Sequence, residues 1–394
     1  MNKNRILSID VFRGLTIFLM VFVNDLMPVT GIPSWLKHAS ADANAMTFVD
    51  VVFPAFLFIV GISIPLAMGV RLTRGESSLK IGRHIFFRTA GLIILGLFMV
   101  NSWEMDGEPK LISSSWWDIL LYLSAILVWN KYPKAEGTRK QIFVGLQGLG
   151  MLILVVLALL YPKGEGEVFI GMKISYWGIL GLIGWAYLLS VVTYLLFKNN
   201  IGALIAMLAL FVIMVTGLQS EAFHLPPFLS WFDSQVFHLT HASMTLAGIV
   251  FTLLFLQKGS NLTHKQKISG MLITGLFFTI AGFFLVSVGG ISKIYATPSW
   301  ALYSVAICCF LFPLIYWLVD VKGYSYWANF LKPAGTNPLL TYILPYLFYA
   351  VFSVTYLGDA FNNGFLGIMR SILFSLFILG IATLLTRWKI ILKL

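Results

Sequence analysis

Residues Arg5–Gly61 read RILSIDVFRGLTIFLMVFVNDLMPVTGIPSWLKHASADANAMTFVDVVFPAFLFIVG. The apolar runs Val11–Met27 and Val51–Met68 are each long enough to cross the ~30 Å hydrocarbon core of a bilayer. Between them lies a polar loop with a single histidine, His38, beside Lys37 and followed by small residues. The first run begins with Arg13 and ends with Asn24 and Asp25. Polar side chains at membrane depth are costly and usually line a pathway or a site.

The rest of the chain repeats the pattern. It has 394 residues, 59% hydrophobic and only 11% charged; soluble domains carry about 25% charged residues. Apolar spans are expected at roughly 11–28, 50–70, 85–101, 116–130, 141–161, 176–197, 201–219, 237–257, 268–288, 300–320, 335–357 and 366–386. This predicts an all-α polytopic membrane protein of about 12 transmembrane helices, with 1–394 forming a single integral-membrane domain and the lipid bilayer as its surroundings. Lys3 and Arg5 before an apolar run resemble a signal peptide. The small-residue stretch Ala43-Asn44-Ala45 lies too far downstream for cleavage, and Asn24 and Asp25 do not suit that anatomy, so the first span is expected to be retained.

The net charge of +11 does not point to nucleic acid, because no stacking motif interleaves the basic residues. All 27 Lys and Arg except Lys37, Lys110, Lys163, Lys173, Lys293 and Arg370 fall on the side of the spans that carries the N-terminus. The positive-inside rule then predicts cytoplasmic N- and C-termini and puts the His38 loop outside. The acids Asp42, Glu104, Asp106, Glu108, Asp118, Glu165, Glu167, Glu221, Asp233 and Asp359 lie in or near outer loops. Two readings stand: solvated loops, or a vestibule suited to a cationic acceptor such as an amino sugar. Cys308 and Cys309 are adjacent within one span and read as small core residues.

Proline and glycine (Pro54, Gly61, Pro65, Pro313, Pro333, Gly335, Pro338, Pro345) are expected to cut several spans, most sharply at Pro333–Pro338. Asn337 there reads either as part of an exposed helix terminus suited to phosphate or as an ordinary helix cap.

The candidate chemistry centres on His38, since imidazole is the natural base for an attacking amine near neutral pH. From Val11 to Asn24 a helix rises about 20 Å, which brings that amide toward the His38 side as a donor for a developing oxyanion, or as a tie between helices. Asp50 reads as the partner that fixes the histidine tautomer or as a carboxylate at a helix N-terminus. Asp25 could orient His38 or bind the amine. Arg13 reads as an ion-pair partner of Asp10 or as a phosphate ligand, and Arg71, Arg74, Arg83, Arg88 and Lys322 share its side. With no P-loop and no dinucleotide fingerprint in the chain, a nucleotide would be held by helix ends and basic side chains. His238 and His241, with His224 and Asp233 upstream, form a rival set: a zinc site, a polar vestibule lining or a structural cluster; no metal is expected. The tryptophans Trp35, Trp103, Trp116, Trp117, Trp177, Trp231 and Trp300 suit either a sugar platform or an interfacial belt.

Several ordered motifs carry a family resemblance: D-x-F-R-G (Asp10–Gly14), M-V-F-V-N (Met20–Asn24), K-H-A-S (Lys37–Ser40), D-x-V-F-P (Asp50–Pro54), S-K-I-x-A-T-P-S-W (Ser292–Trp300), V-D-V-K-G (Val319–Gly323) and the closing Trp388-Lys389-Ile390. In these the chain resembles the membrane-bound acetyl-CoA:heparan-α-glucosaminide N-acetyltransferases and their bacterial relatives. The likeness covers most of the chain and weakens between about 116 and 237. It implies an acetyl-CoA-dependent N-acetyltransferase in which His38 is essential and Asn24 is catalytic; by side-chain chemistry Asp50 and Asp25 are expected to support them, and Arg13, Arg88, Lys322 and Asn337 to contact the coenzyme. It further implies transfer from cytoplasmic acetyl-CoA to a glucosamine-type sugar on the outer side, and a homodimer.

The chain departs from this family at Asp25, where an aromatic is expected. It also has Trp117–Tyr122 in place of a Leu-Gln-Arg-Leu-Gly element, and two further spans at about 176–219. O-acyl transfer to a surface glycan and sugar transport stay open as alternatives. The short inner loops suit a bacterial cytoplasmic membrane.

Overall fold

The computed structural model describes residues 6–105, 112–161, 171–174, 176–220, 222, 225–229, 235–257, 261–352 and 359–394. Among them the chain forms α1 Leu7–Leu26, α2 Phe48–Thr73, α3 Ser78–Trp103, α4 Ser114–Trp129, α5 Gly137–Leu160, α6 Gly178–Phe197, α7 Ile201–Gln219, α8 Phe237–Leu256, α9 His264–Gly289, α10 Pro298–Val321, α11 Pro338–Phe352 and α12 Gly364–Arg387. Ten are long and apolar enough to span a membrane, and α4 and α11 are shorter apolar helices. The protein is a polytopic all-α membrane protein.

Side-chain chemistry sets the helix ends. Thr47 and Asp50 form a reciprocal capping box at the start of α2, and Thr263 with Gln266 does the same for α9. The Ser77 hydroxyl accepts from Lys80 N to begin α3. The exposed first amides of α1 are met from another helix: Leu7 N and Ser8 N donate to the Asp320 carboxylate at 2.9 and 3.0 Å. The last turns of α8 and α10, Thr252–Leu256 and Trp317–Val321, widen to π geometry.

Burial separates an inner from an outer set. The apolar windows of α8 and α2 are 89% and 78% buried, whereas those of α5 and α7 are 17% buried and face outward. Hydrophobicity is uniform in such helices, so packing falls to small residues. At the crossing of α2 and α8, a Cβ on Gly61 would sit 1.9 Å from Thr245 O, and one on Gly248 would sit 2.2 Å from Phe58 O. Only glycine permits this approach.

The expected cuts are fewer than the prolines suggest. α2 runs unbroken through Pro54, Gly61 and Pro65, and α11 carries Pro345 internally. Pro313 lies within α10, one turn before its π segment. The break at Pro333–Pro338 is real, with a short helix Lys332–Thr336 ahead of α11.

Helices alternate in direction, which gives the bundle two ends. At the His38 end, Thr30 pairs with Asn362 and Gly364 through backbone hydrogen bonds of 2.8 Å, joining the α1–α2 and α11–α12 connections. At the opposite, basic end, the segment after α12 folds back over the bundle. Lys131 N donates to Ile391 O, Lys393 N donates to Trp129 O, and the Asn337 side chain bonds Ile390 O and Leu392 N.

Candidate active site

The α1–α2 connection carries the histidine. Ser34–Leu36 forms a turn with Leu36 buried beneath it, and the Thr47 hydroxyl donates to Lys37 O at 2.7 Å. Asp50, in the first turn of α2, is 1% exposed. Its Oδ2 accepts from Ala39 N at 3.1 Å and Thr47 N at 3.0 Å, while Oδ1 lies 2.6 Å from His38 Nδ1. The carboxylate is thus both a helix-terminal group and the partner of the histidine. A proton on Nδ1 satisfies Asp50 and leaves the Nε2 lone pair available as a base.

A second loop completes the site. Lys293, between α9 and α10, places its Nζ 3.2 Å from both ring nitrogens of His38. The loop is tightly built: Ala296 N bonds Lys293 O, Ser292 N bonds Thr297 Oγ1, and Ala296 adopts φ 48°, a left-handed conformation costing a non-glycine residue about 1 kcal/mol. It docks on the His38 loop through Ile291 N to Asn44 Oδ1 at 2.8 Å and the Tyr295 hydroxyl to Asp42 at 3.0 Å. Trp300 Nε1 donates to Asp50 O at 3.2 Å. Burial pushes the Lys293 ammonium down to about 8, against the opposing pull of Asp50.

His38 and Lys293 face a cavity of about 720 Å³ that Asn24, His241, Trp103 and Tyr346 also line. Asn24 Nδ2 donates to the Tyr346 hydroxyl at 3.2 Å. The mix of apolar walls with a few convergent polar groups is that of a small-molecule site.

A second cavity, about 350 Å³, opens among basic groups at the opposite end: Arg71, His84, Arg88 and Lys393. The Arg88 guanidinium lies 4.5 Å over the Tyr187 ring, and its buried Nε has no hydrogen-bond partner among the described residues. Met20 of α1 lines both cavities. α6, one of the two further spans, walls both: Ile179 and Leu182 face the first, Leu180 and Ile183 the second.

The remaining expected site residues lie elsewhere. Asp25 is turned away from His38: its carboxylate pairs with Arg370 Nη2 at 3.0 Å and accepts from Tyr349, beside a separate groove between α11 and α12. Arg13 is held by Ser63 Oγ at 2.7 Å, Gly335 O at 3.3 Å and Asp10 at 3.5 Å, joining α1, α2 and the short helix. Lys322 lies over Trp317 at 5.4 Å. Asn337 is fully buried and staples the segment after α12, so it neither caps α11 with its side chain nor faces a phosphate site. Among the four expected coenzyme contacts, Arg88 lines the basic cavity.

His241 faces the first cavity and His238 bonds Gln235 at 3.1 Å. His224 and Asp233 lie outside the described residues, as do Trp231 and the acids Asp106, Glu108, Glu165, Glu167 and Glu221. Among the described residues no group of three or more His, Cys, Asp or Glu could hold a metal ion. Cys308 and Cys309 are buried and unpaired in α10. Trp117 and Tyr122, which replace the expected Leu-Gln-Arg-Leu-Gly element, are core side chains; Tyr122 stacks on Tyr346.

Lys293 and Tyr346 were not singled out by residue pattern. The signal for Lys293 was its place in the Ser292–Trp300 block, together with its being a rare cation at the His38 end.

Comparison with known proteins adds the kinship. The chain is 46% identical over 101 residues to heparan-alpha-glucosaminide N-acetyltransferase of Mus musculus, and 44% identical over 98 residues to the Homo sapiens protein of that name. Each match covers 25% of this chain and 14% of the relative, so the chain matches only a small part of these proteins' length. Residues 5–224, more than half the chain, match the domain of unknown function DUF5009, and the chain belongs to that family.

Proposed function

We propose that the protein is a transmembrane acetyltransferase that carries an acetyl group from acetyl-CoA to the amine of a glucosamine-type sugar. The observation that carries this reading is the Asp50–His38 pair, at 2.6 Å, with His38 lining a cavity that shares Met20 as a wall with a second, basic cavity.

Acetyl-CoA is a polyanion with a thin apolar arm. Its phosphates suit Arg71, Arg88, His84 and Lys393, where guanidinium groups offer forked donors. The pantetheine arm runs past Met20, an unbranched side chain able to move aside, to present the thioester near Asn24. The sugar enters the larger cavity. Its amine attacks the thioester carbonyl carbon while His38 Nε2 takes the amine proton. Carbon–sulfur cleavage then releases the thiolate, which recovers that proton. Asp50 holds the imidazole in the tautomer this requires and stabilises it once charged.

The excess of Lys and Arg at the end opposite His38 supports a cytoplasmic donor side and an outer acceptor side. The short loops there suit a bacterial cytoplasmic membrane. A homodimer is part of the same proposal, by analogy with the relatives.

The test is transfer of radiolabelled acetyl from acetyl-CoA to glucosamine by purified protein, with His38→Ala as control. Label on the amine that disappears in the variant supports the reading. Label on a hydroxyl-bearing glycan instead would make it an O-acyltransferase. Counterflow of labelled sugar in proteoliposomes lacking any acyl donor would make it a transporter.

A further inference from the structure

We propose that Lys293 is a second catalytic residue, whose ammonium donates to the thioester oxygen as that oxygen becomes an oxyanion. This rests on the acetyl-transfer reading and assigns a role to a residue that nothing above requires. The geometry carries it. Lys293 Nζ lies 3.2 Å from His38 Nε2, the atom that takes the amine proton, and lines the same cavity. A carbonyl carbon attacked by an amine whose proton goes to Nε2 has its oxygen within reach of donors around that nitrogen. Lys293 is such a donor, and the Asn24 amide lines the same cavity.

The placement is built rather than incidental. The strained turn at Ala296 and the docking of Ile291 and Tyr295 on the His38 loop aim a long, flexible side chain at one imidazole. In a site this apolar a fixed cation acts through low dielectric, so its effect on developing charge exceeds what it would be in water.

In the step, the amine nitrogen–carbon bond forms and the carbonyl π pair moves to oxygen, where the ammonium stabilises it. The amine proton passes to Nε2. When the tetrahedral centre collapses, the pair returns, the carbon–sulfur bond breaks and the thiolate takes the proton from His38. Lys293 ends as it began, protonated. Before the thioester arrives, the same ammonium lies 3.2 Å from both ring nitrogens of His38. The titratable groups facing Lys293 are His38, Asp50 and His241. The downward shift of its own ammonium agrees with an ammonium held among them in an apolar pocket.

The experiment uses the full chain in detergent, with acetyl-CoA as donor and glucosamine, then a neutral glycan, as acceptor. Lys293→Met should lower kcat on the order of 10²–10³-fold, as loss of an oxyanion donor does, with KM for acetyl-CoA changed less than about threefold. Lys293→Cys should be equally impaired and should recover when alkylated with 2-bromoethylamine, which rebuilds a lysine-like amine; Cys308 and Cys309 are buried. The rebuilt thioether amine is less basic, so the alkaline fall in rate should move to lower pH, a change that a merely structural lysine would not produce. If Lys293→Met does not fold, the cysteine variant before and after alkylation gives the same comparison.

Wild-type kcat in Lys293→Met beside a dead His38→Ala, or a loss confined to KM, would overturn the role of Lys293 and leave acetyl transfer standing. Full activity in His38→Ala, or no turnover of acetyl-CoA by the wild type with either acceptor, would overturn both.

Discussion

Asn24 and Asp25 are neighbours in the chain, yet they serve different partners. Asn24 donates to Tyr346 in the large cavity, and Asp25 pairs with Arg370 and Tyr349 against α12. A helix turns about 100° per residue, so adjacent polar residues reach different partners. Their variants should therefore fail differently. Asn24→Ala should cut kcat on the order of 10²-fold with little change in melting temperature. Asp25→Ala should destabilise the fold by about 3–5 kcal/mol through the unpaired Arg370, visible as a drop in detergent melting temperature.

Asp50→Asn is expected to lower kcat on the order of 10²–10⁴-fold, because an amide cannot hold the Nδ1–H tautomer as a carboxylate does. KM for acetyl-CoA should barely change. Steady-state kinetics on the purified variant, beside His38→Ala, measure this.

The alkaline side of the pH profile should report Lys293. Burial pushes its ammonium down to about 8. The active form is the protonated one, so on the alkaline side kcat falls as pH rises through that value. A rate still climbing at pH 9 would contradict the assignment.

Charge removal at the basic end should affect donor binding alone. Arg88→Ala and Arg71→Ala should each raise KM for acetyl-CoA on the order of tenfold, the loss of one charge-assisted contact of about 1.5–3 kcal/mol, with kcat for bound substrate kept. The same variants of Lys322 should change KM little, since that side chain lies over Trp317 and outside the cavity.

Gly61→Val should prevent the close approach of α2 to α8, since even one added carbon would meet Thr245 O at 1.9 Å. Loss of monodisperse protein on size-exclusion chromatography is the expected result, whereas valine at Gly380, which has open space around it, should be tolerated.

The twelve apolar helices were legible because hydrophobic length alone reveals them, although among the described residues only ten are long enough to cross a membrane and α4 and α11 are shorter. Helices extend beyond the apolar spans: α3 begins at Ser78, through the polar turn holding Lys80, Arg83 and His84, ahead of the apolar run near residue 85. The height of a residue along the bundle axis was equally legible, from its position in a span. Direction around the axis was not. Arg13, Lys322 and Asn337 lie at the basic end as expected, but neighbouring helices claim their side chains. His38 and Asp50 are 12 residues apart and join one loop to one helix start, a local relation. Lys293 stands 255 residues from His38, and only the packing of the α1–α2 and α9–α10 loops brings them together.

The segment that folds back after α12 bears on biosynthesis. Leu392, Lys393 and Leu394 form part of the wall of the basic cavity, and α4 and Asn337 hold them in place. A nascent chain can insert its helices in order as they leave the ribosome, and the His38 loop can meet Lys293 once α10 is in place. The basic cavity must wait until residue 394 has been made, α12 inserted, and the segment drawn back across the bundle. An insertion intermediate halted before α12 would thus carry the Asp50–His38 pair beside a basic cavity whose wall is not yet closed.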